Sequence, residues 1–224
     1  MKSLWISVAA AFLLASAVAG QDPVMVDAAH HSVVLENEYV RVLRITLGPG
    51  EKTPLHAHPA GVAVFLNDVH NRVSPAGAEP DETPRKKGEV ALIGASRHTV
   101  ENRGASPSAV MLVELKGAPA AAHVERDALQ VDASHYTLLG ENDLVRVIRI
   151  RYGAGERSVM HDHPAAVAVF LTPGEFRMHM PDGTSGEPTA AEAGTAIFAP
   201  AETHEPENVG STATELVLVE LKGR

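Results

Sequence analysis

The chain has 224 residues, with 19 Lys and Arg, 28 Asp and Glu, a formal net charge of -9 and no cysteine. An acidic chain without a basic patch lacks the cationic surface that follows nucleic-acid phosphates, so we expect no nucleic-acid partner. Without cysteine it forms no disulfide and has no lipid-anchor cysteine, which fits an oxidising compartment.

The first residues are typical of an export signal. Met1 and Lys2 form a short positive region, an apolar run broken only by serines follows, and Ala17-Val-Ala19 has the small residues of a cleavage site. The alternative is an uncleaved anchor, but the apolar run is shorter than the roughly 20 residues that a membrane span needs. We predict a signal peptide over residues 1–19, a periplasmic or secreted protein, and no membrane anchor after cleavage.

The rest of the chain contains one succession of blocks twice. Each copy starts with apolar and charged residues in alternation, the period of a half-buried strand. A Gly-x-Gly turn, an apolar run and a closing Val-Glu-Leu-Lys-Gly pattern follow. The blocks are 40–42, 48–50, 62–66 and 113–117 in the first copy, and 145–147, 153–155, 167–171 and 219–223 in the second.

Short strands separated by Gly- and Pro-containing turns predict all-β barrel or sandwich domains. The repeat divides the chain into an N-terminal barrel over 30–117, a linker over 118–133 and a C-terminal barrel over 134–224. Within the linker, the alanine-rich stretch 118–127 is either a short helix or an irregular connection. Pro181-Asp-Gly183 is a strong hairpin-turn signal in the second copy.

Histidines recur at matching positions in both copies. A glycine is followed six residues later by His-x-His-Pro, and a single histidine follows about 40 residues further on. In a strand, residues i and i+2 face the same side, so both histidines of His-x-His can reach one ion. A third imidazole from a neighbouring strand would leave coordination positions open for water or substrate. The predicted metal ligands are His56, His58 and His98 in the first copy and His161, His163 and His204 in the second.

Both copies resemble the two motifs of the cupin superfamily, G-x5-H-x-H-x3,4-E-x6-G and G-x5-P-x-G-x2-H-x3-N. The likeness covers nearly the whole mature chain, so the sequence resembles the two-domain bicupin form. It implies two tandem double-stranded β-helix, or jelly-roll, barrels whose metal ligands point inwards. The second copy follows the pattern better, because it keeps Pro200 where the first has Gly94.

The acidic ligand of the cupin pattern is missing from both copies. It would stand at Val62 or Ala63, and in the second copy at Val167 or Ala168. Three imidazoles without a carboxylate favour Fe²⁺, Ni²⁺, Cu²⁺ or Zn²⁺ over harder ions such as Mn²⁺. The expected cofactor is a divalent transition metal, Fe, Zn, Ni, Cu or Mn.

The other histidines are expected to lie away from the metal. Four that flank the barrels are predicted to be solvent-exposed: His30, His31, His123 and His135. In the run 175–180 the apolar residues share the inner face, which places Arg177 and His179 outside. Asp162 and Arg97 should point away from the neighbouring histidines by the same alternation, and Asn102 and Asn208 should cap turns.

These observations favour an exported metal-dependent enzyme that acts on a small polar molecule. With Fe²⁺ its chemistry would be that of a dioxygenase, and with Zn²⁺, Ni²⁺ or Cu²⁺ that of an isomerase or lyase. The alternative is a non-catalytic periplasmic protein that binds a metal or small ligand. A cavity lined by polar groups beyond the imidazoles would favour the enzyme, and a closed apolar pocket would favour the binder or a relic site. No catalytic base is identifiable, and the resemblance allows a homodimer.

Overall fold

A computed structural model of the chain describes residues 21–223, and the predicted signal peptide over residues 1–19 lies outside them. Regular structure in the described residues is almost entirely strand, as predicted. None of the helices between residues 21 and 223 has the length and apolar character of a membrane span.

The first half contains one four-residue helix and eight strands. These are α1 (Pro23–Val26), β1 (His31–Glu36), β2 (Val40–Leu47), β3 (His56–His58), β4 (Gly61–Phe65), β5 (Asn71–Pro75), β6 (Val90–Ile93), β7 (Ser96–Asn102) and β8 (Ser108–Leu115). The second half repeats this order with one additional strand. Its elements are α2 (Ala128–Val131), β9 (Tyr136–Glu141), β10 (Val145–Tyr152), β11 (His161–His163), β12 (Ala166–Phe170), β13 (Gly174–His179), β14 (Thr189–Ala191), β15 (Ala196–Ala199), β16 (Glu202–Asn208) and β17 (Thr214–Leu221).

Each half forms one five-stranded sheet and one smaller sheet. The first half has the orders β1-β2-β8-β4-β6 and β3-β7-β5, and the second has β9-β10-β17-β12-β15 and β11-β16-β13-β14. All of these strand pairs are antiparallel, and none of them joins the two halves. The sheet topology is therefore duplicated with the sequence.

The Gly-x-Gly blocks form tight turns in both copies. Gly50 has φ 75° and Gly155 has φ 74°, the left-handed region that favours glycine. A buried asparagine holds each turn: Asn102 Nδ2 donates to Leu47 O at 3.0 Å, and Asn208 Nδ2 donates to Gly153 O at 2.9 Å. The predicted turn-capping role of the two asparagines is thus present, since Asn102 Oδ1 also accepts from Gly104 N and Asn208 Oδ1 from Gly210 N.

The two five-stranded sheets pack against each other through their outer faces. Valines dominate this apolar seam, because every second residue of each central strand points into it. Its buried members are Val40, Val42, Val62, Val64, Met111 and Val113 from the first half and Val145, Val147, Val167, Val169, Leu171, Val217, Val219 and Leu221 from the second. Tyr39 stacks on Phe198 beside it, with ring centroids 6.0 Å apart. The halves are therefore joined by a common core, and the alternate residues of the same strands line each barrel.

We expect the two barrels to unfold in one transition because they share this seam. Val113→Ala should lower the free energy of unfolding by about 2 kcal/mol, from lost apolar burial and the cavity left behind. Calorimetry should show a single endotherm that shifts to lower temperature as a whole. Val33→Ala, at a position 45% exposed, is the matched control and should change little. Two separate endotherms would contradict a shared core.

Candidate metal centre

The three predicted histidines of the first half converge inside the first barrel. His56 and His58 stand on β3, and His98 stands opposite His56 on β7. The His56 ring centroid is 4.8 Å from that of His58 and 4.7 Å from that of His98. His58 and His98 are 5.3 Å apart by the same measure. Pairing of β3 with β7 therefore brings together side chains about 40 residues apart.

His31 joins this cluster, so its predicted exposure was wrong. It is 2% exposed, and its ring centroid lies 4.9 Å from that of His56. In the β1–β2 pair it stands opposite Ile45, which lines the barrel interior, and opposite residues of an antiparallel pair share a face. One ligand nitrogen each from His31, His56 and His58 lie within 4.8 Å of one another. The first barrel thus has four imidazoles where three were predicted.

The exposure of the other three flanking histidines is mixed. His123 is exposed, as expected, whereas His30 and His135 are half-buried. Each of the two binds the carboxylate of the aspartate three residues before it, at 2.7 Å, which holds it against the barrel.

The second barrel has the predicted triad and a tyrosine in place of the fourth imidazole. One nitrogen each from His161, His163 and His204 lie within 4.8 Å of one another. Tyr136 on β9 stands opposite Ile150 on β10, so it occupies the position that His31 has in the first barrel. Its hydroxyl lies 3.0 Å from His161 Nε2 and 2.6 Å from the Tyr152 hydroxyl.

The position of the missing acidic ligand is resolved by the same alternation. Ala63 and Ala168 line the two cavities, whereas Val62 and Val167 are buried in the seam. A carboxylate at Ala63 or Ala168 would face the imidazoles, and neither barrel has one there. In the first barrel His31 brings a further imidazole to the cluster from a different strand.

The hydrogen bonds of the first-barrel imidazoles leave Nε2 free to bind a ligand. His56 Nδ1 donates to Pro54 O at 2.8 Å and His58 Nδ1 donates to Glu114 Oε1 at 2.5 Å. His31 Nδ1 donates to Asp27 O at 3.2 Å. In a neutral ring with this hydrogen bond, Nε2 is the unprotonated acceptor. All three Nε2 atoms are buried without a partner among residues 21–223, and buried polar atoms are normally satisfied. This donor set fits a transition-metal ion.

The same test in the second barrel gives a mixed result. His161 Nδ1 donates to Val159 O at 2.7 Å and His163 Nδ1 donates to Glu220 Oε1 at 2.6 Å, so both Nε2 atoms are acceptors. They lie 3.0 Å apart, where two lone pairs repel unless a cation or a donor is shared. The Tyr136 hydroxyl donates to His161 Nε2 alone, at 3.0 Å. The residues fit a metal, but a protein group already binds one of the nitrogens.

Burial keeps several of these imidazoles neutral. It lowers the pKa of His56 and that of His161 to about 4, and it lowers the pKa of His98 to about 3. Desolvation of the imidazolium is the main cause in each case, and the neighbouring imidazoles disfavour the charged form further. Neutral imidazole is the form that binds a metal.

The cavities of the two barrels differ in size and lining. The first has a volume of about 320 Å³ and the second about 140 Å³. Aromatic side chains account for the difference, since Tyr136, Tyr152, Phe170 and Phe176 line the second cavity. The first cavity also has polar groups besides its imidazoles. These are Asn71, Asp81, Thr83 and Arg85. The second copy matches the motif better, yet the first has more room for a ligand.

Solved structures share this paired-barrel arrangement. AerE from Microcystis aeruginosa has a TM-score of 0.60 and 11% identity, over 86% of this chain and 97% of that chain. A salicylate 1,2-dioxygenase variant from Pseudoaminobacter salicylatoxidans has a TM-score of 0.60 and 14% identity, over 94% of this chain and 81% of that chain. A Bacillus subtilis oxalate decarboxylase variant has a TM-score of 0.62 and 11% identity, over 86% of this chain and 72% of that chain. These are cupin-fold proteins. The chain has the bicupin fold.

At identities of 11% to 14%, these structures show that the chain shares their fold, and they say nothing about the reaction of this protein. No protein-family model matches the sequence, and no curated protein matches it either.

A chain of charged groups that ends in a buried glutamate supports His58 in the first barrel and His163 in the second. Arg41 Nε donates to Glu114 Oε2 at 2.5 Å, and Arg41 Nη1 donates to Asp22 Oδ2 at 2.5 Å. Glu114 is 1% exposed. Burial alone would raise its pKa, but hydrogen bonds from His58 and Arg41 hold that pKa below its usual value. The second barrel repeats this chain with Asp127, Arg146, Glu220 and His163.

The repeated Val-Glu-Leu-Lys-Gly pattern contains this glutamate in both copies, but the pattern alone indicates no role for it. The available signal was an acidic residue repeated inside an apolar strand, opposite an arginine repeated inside another. A carboxylate on Nδ1 fixes the tautomer and ring orientation of a metal-binding histidine. Glu114 and Glu220 are therefore positioning residues for His58 and His163.

The remaining predicted side chains point away from the centres. Arg97 is exposed. Asp162 accepts from Thr203 Oγ1 at 2.7 Å and from the backbone of Arg126 at 2.8 Å. His179 binds Glu207 at 2.9 Å outside the barrel. Alternation along the strands thus predicted these orientations correctly.

Removal of the buried glutamate should be costly. Glu114→Ala leaves a mostly buried guanidinium with one carboxylate instead of two, and we expect a loss of up to about 3 kcal/mol in the free energy of unfolding. Denaturant titration checks the loss, and ¹⁵N NMR of the metal-free protein should show His58 leaving the Nδ1–H tautomer. Glu36→Ala, which breaks the exposed Lys116–Glu36 pair, is the control and should cost about 0–1 kcal/mol. Equal losses in the two variants would contradict the role assigned to Glu114.

Proposed function

We propose that the protein is a metal-dependent cupin enzyme whose working site is the first barrel. A divalent transition metal would be held there by His31, His56 and His58, whose ligand nitrogens lie within 4.8 Å of one another. The predicted ligand His98 lies beside them, outside that group, with its ring centroid 4.7 Å from that of His56. The three buried Nε2 atoms that converge without a partner support this most directly. A second centre would use His161, His163 and His204. It would bind metal more weakly, because the ion must displace the Tyr136 hydroxyl from His161.

The metal would polarise a bound oxygen atom of the substrate, and an iron ion would also bind dioxygen. Dioxygenase chemistry is one proposal, in keeping with the salicylate 1,2-dioxygenase among the structural neighbours. Isomerase or lyase chemistry is the proposal for Zn²⁺, Ni²⁺ or Cu²⁺. The chain's own residues would orient the imidazoles, exclude water with apolar walls and bind a small molecule beside them.

The second barrel favours the non-catalytic alternative for its own half. Its cavity is smaller and mostly apolar, and aromatic side chains occupy the space that a substrate would need. We propose that this half contributes stability and a secondary metal site. We also propose export to the periplasm or the exterior, on the basis of residues 1–19.

Metal titration tests the two centres separately. With Zn²⁺ in competition with a chromophoric chelator, the protein should show one tight and one weaker site. His58→Ala should abolish the tight site, and His163→Ala should abolish only the weaker one. His123→Ala, at an exposed histidine, is the control and should retain both. Absence of uptake of all five ions, Fe²⁺, Zn²⁺, Ni²⁺, Cu²⁺ and Mn²⁺, would overturn the proposed function.

Reciprocal exchange of the fourth group tests the role of His31. His31→Tyr should weaken the first site by about ten-fold, and Tyr136→His should strengthen the second by about ten-fold, since each changes the number of imidazole donors. The same Zn²⁺ competition measures both. Tyr136→Phe removes the hydroxyl without adding a ligand, so it separates relief of the hydrogen bond from gain of a donor. An unchanged first site in His31→Tyr would remove His31 from the ligand set.

A further inference from the structure

The cavity of the first barrel has two chemically different ends. The imidazoles of His31, His56 and His58 are at most 3% exposed and form its buried end. The connection between β5 and β6 contributes Asp81, Thr83 and Arg85, and the Arg85 side chain is 32% exposed. Between the ends the walls are apolar, formed by Phe65, Val73, Ile93, Val110 and Leu112 among others.

The backbone of Arg85 is held by strand-like pairing, and its guanidinium has N–H donors without a partner among the described residues. Its backbone exchanges two hydrogen bonds with Val69, both at 2.9 Å. Among residues 21–223 its only side-chain partner is Asp81 Oδ2, at 3.4 Å. Asp81 is bound more closely by Thr83, at 2.6 Å and 2.8 Å. Five N–H donors and one long contact leave capacity for a planar anion.

A second polar group lines the same cavity without being satisfied. Asn71 Nδ2 donates to Ser108 Oγ at 2.8 Å, and Asn71 Oδ1 is buried with no partner among the described residues. A buried amide oxygen of this kind calls for a donor from a ligand or water.

The second barrel lacks both groups at equivalent positions. The pairing of Val69 with Arg85 corresponds to that of Gly174 with Ala191. Asn71 opposite Asn102 corresponds to Phe176 opposite Asn208. The scaffold therefore does not require Arg85 or Asn71, and their presence distinguishes the larger cavity.

We infer that the first barrel binds a small organic acid with one carboxylate and an apolar body, and that Arg85 is the residue that selects it. The carboxylate pairs with the Arg85 guanidinium, the apolar body lies against the barrel wall, and a water beside the ligand donates to Asn71 Oδ1. A single cation beside Asp81, in a chain of net charge -9, disfavours a polyanion. A volume of about 320 Å³ lies at the small end of ligand pockets. The assignment rests on the proposed function only in that the ligand would reach a metal at the buried end.

Calorimetric titration with acids and their neutral amides tests the inference. The probes are benzoate, 3-phenylpropionate and hexanoate, each beside its amide, with metal-free and Zn²⁺-loaded protein. At least one acid should bind ten-fold or more tightly than its amide, and Arg85→Gln should remove that preference while amide binding stays unchanged. Arg72→Gln is the control, because Arg72 is a 43%-exposed arginine on β5 that pairs with Glu82 and does not line the cavity; it should retain the preference.

Zn²⁺ content distinguishes this inference from the proposed function. Arg85→Gln should bind Zn²⁺ as the unsubstituted protein does. A selective acid that binds protein unable to take up metal would sustain the inference and defeat the proposed function. Normal metal uptake with no acid bound, with equal affinity for acid and amide, or with an unchanged preference in Arg85→Gln would overturn the inference alone.

Discussion

The buried glutamate on the last strand of each barrel is the group on which both the fold and the site depend. Glu114 and Glu220 are each 1% exposed, and a buried carboxylate is tolerated only when it is paired and hydrogen-bonded. Each carboxylate pairs with an arginine of the neighbouring strand and with a histidine of the small sheet. The requirement to satisfy one charge therefore fixes three elements relative to one another.

The chain of charges also reaches the segment that precedes each barrel. Asp22 caps the short helix α1 by accepting from Val24 N at 3.0 Å, and it binds Arg41 as well. Residues before the predicted barrel start thus belong to the support of the site. Asp127 repeats both contacts in the second half. The orientation of His58 and His163 is held by groups far from them in sequence.

The duplicated scaffold has diverged mainly on its inner faces. The seam consists of apolar residues at equivalent positions in both halves, because exchange there would disturb both barrels together. Inside, His31 corresponds to Tyr136 and Asn71 to Phe176, and these exchanges alter the cavity without touching the seam. Adjacent residues such as Val62 and Ala63 serve the interface and the cavity respectively, since successive side chains of a strand point to opposite faces. One half could thereby keep an open, polar-edged cavity while the other filled with aromatic side chains.

The sequence by itself determined the all-β class, the duplication, the bicupin resemblance and the five histidines His56, His58, His161, His163 and His204 that belong to the two ligand groups. Those features are local or periodic, because alternation, glycine turns and His-x-His spacing are readable within a few residues. Only the tertiary structure decided that His31 joins the first group, that Tyr136 binds His161 and that Glu114 and Glu220 hold the central histidines. Each of these facts depends on strand pairing between distant segments. Cavity volume likewise depends on which side chains meet across a barrel. The first half matches the cupin motifs less well, yet it has the larger cavity.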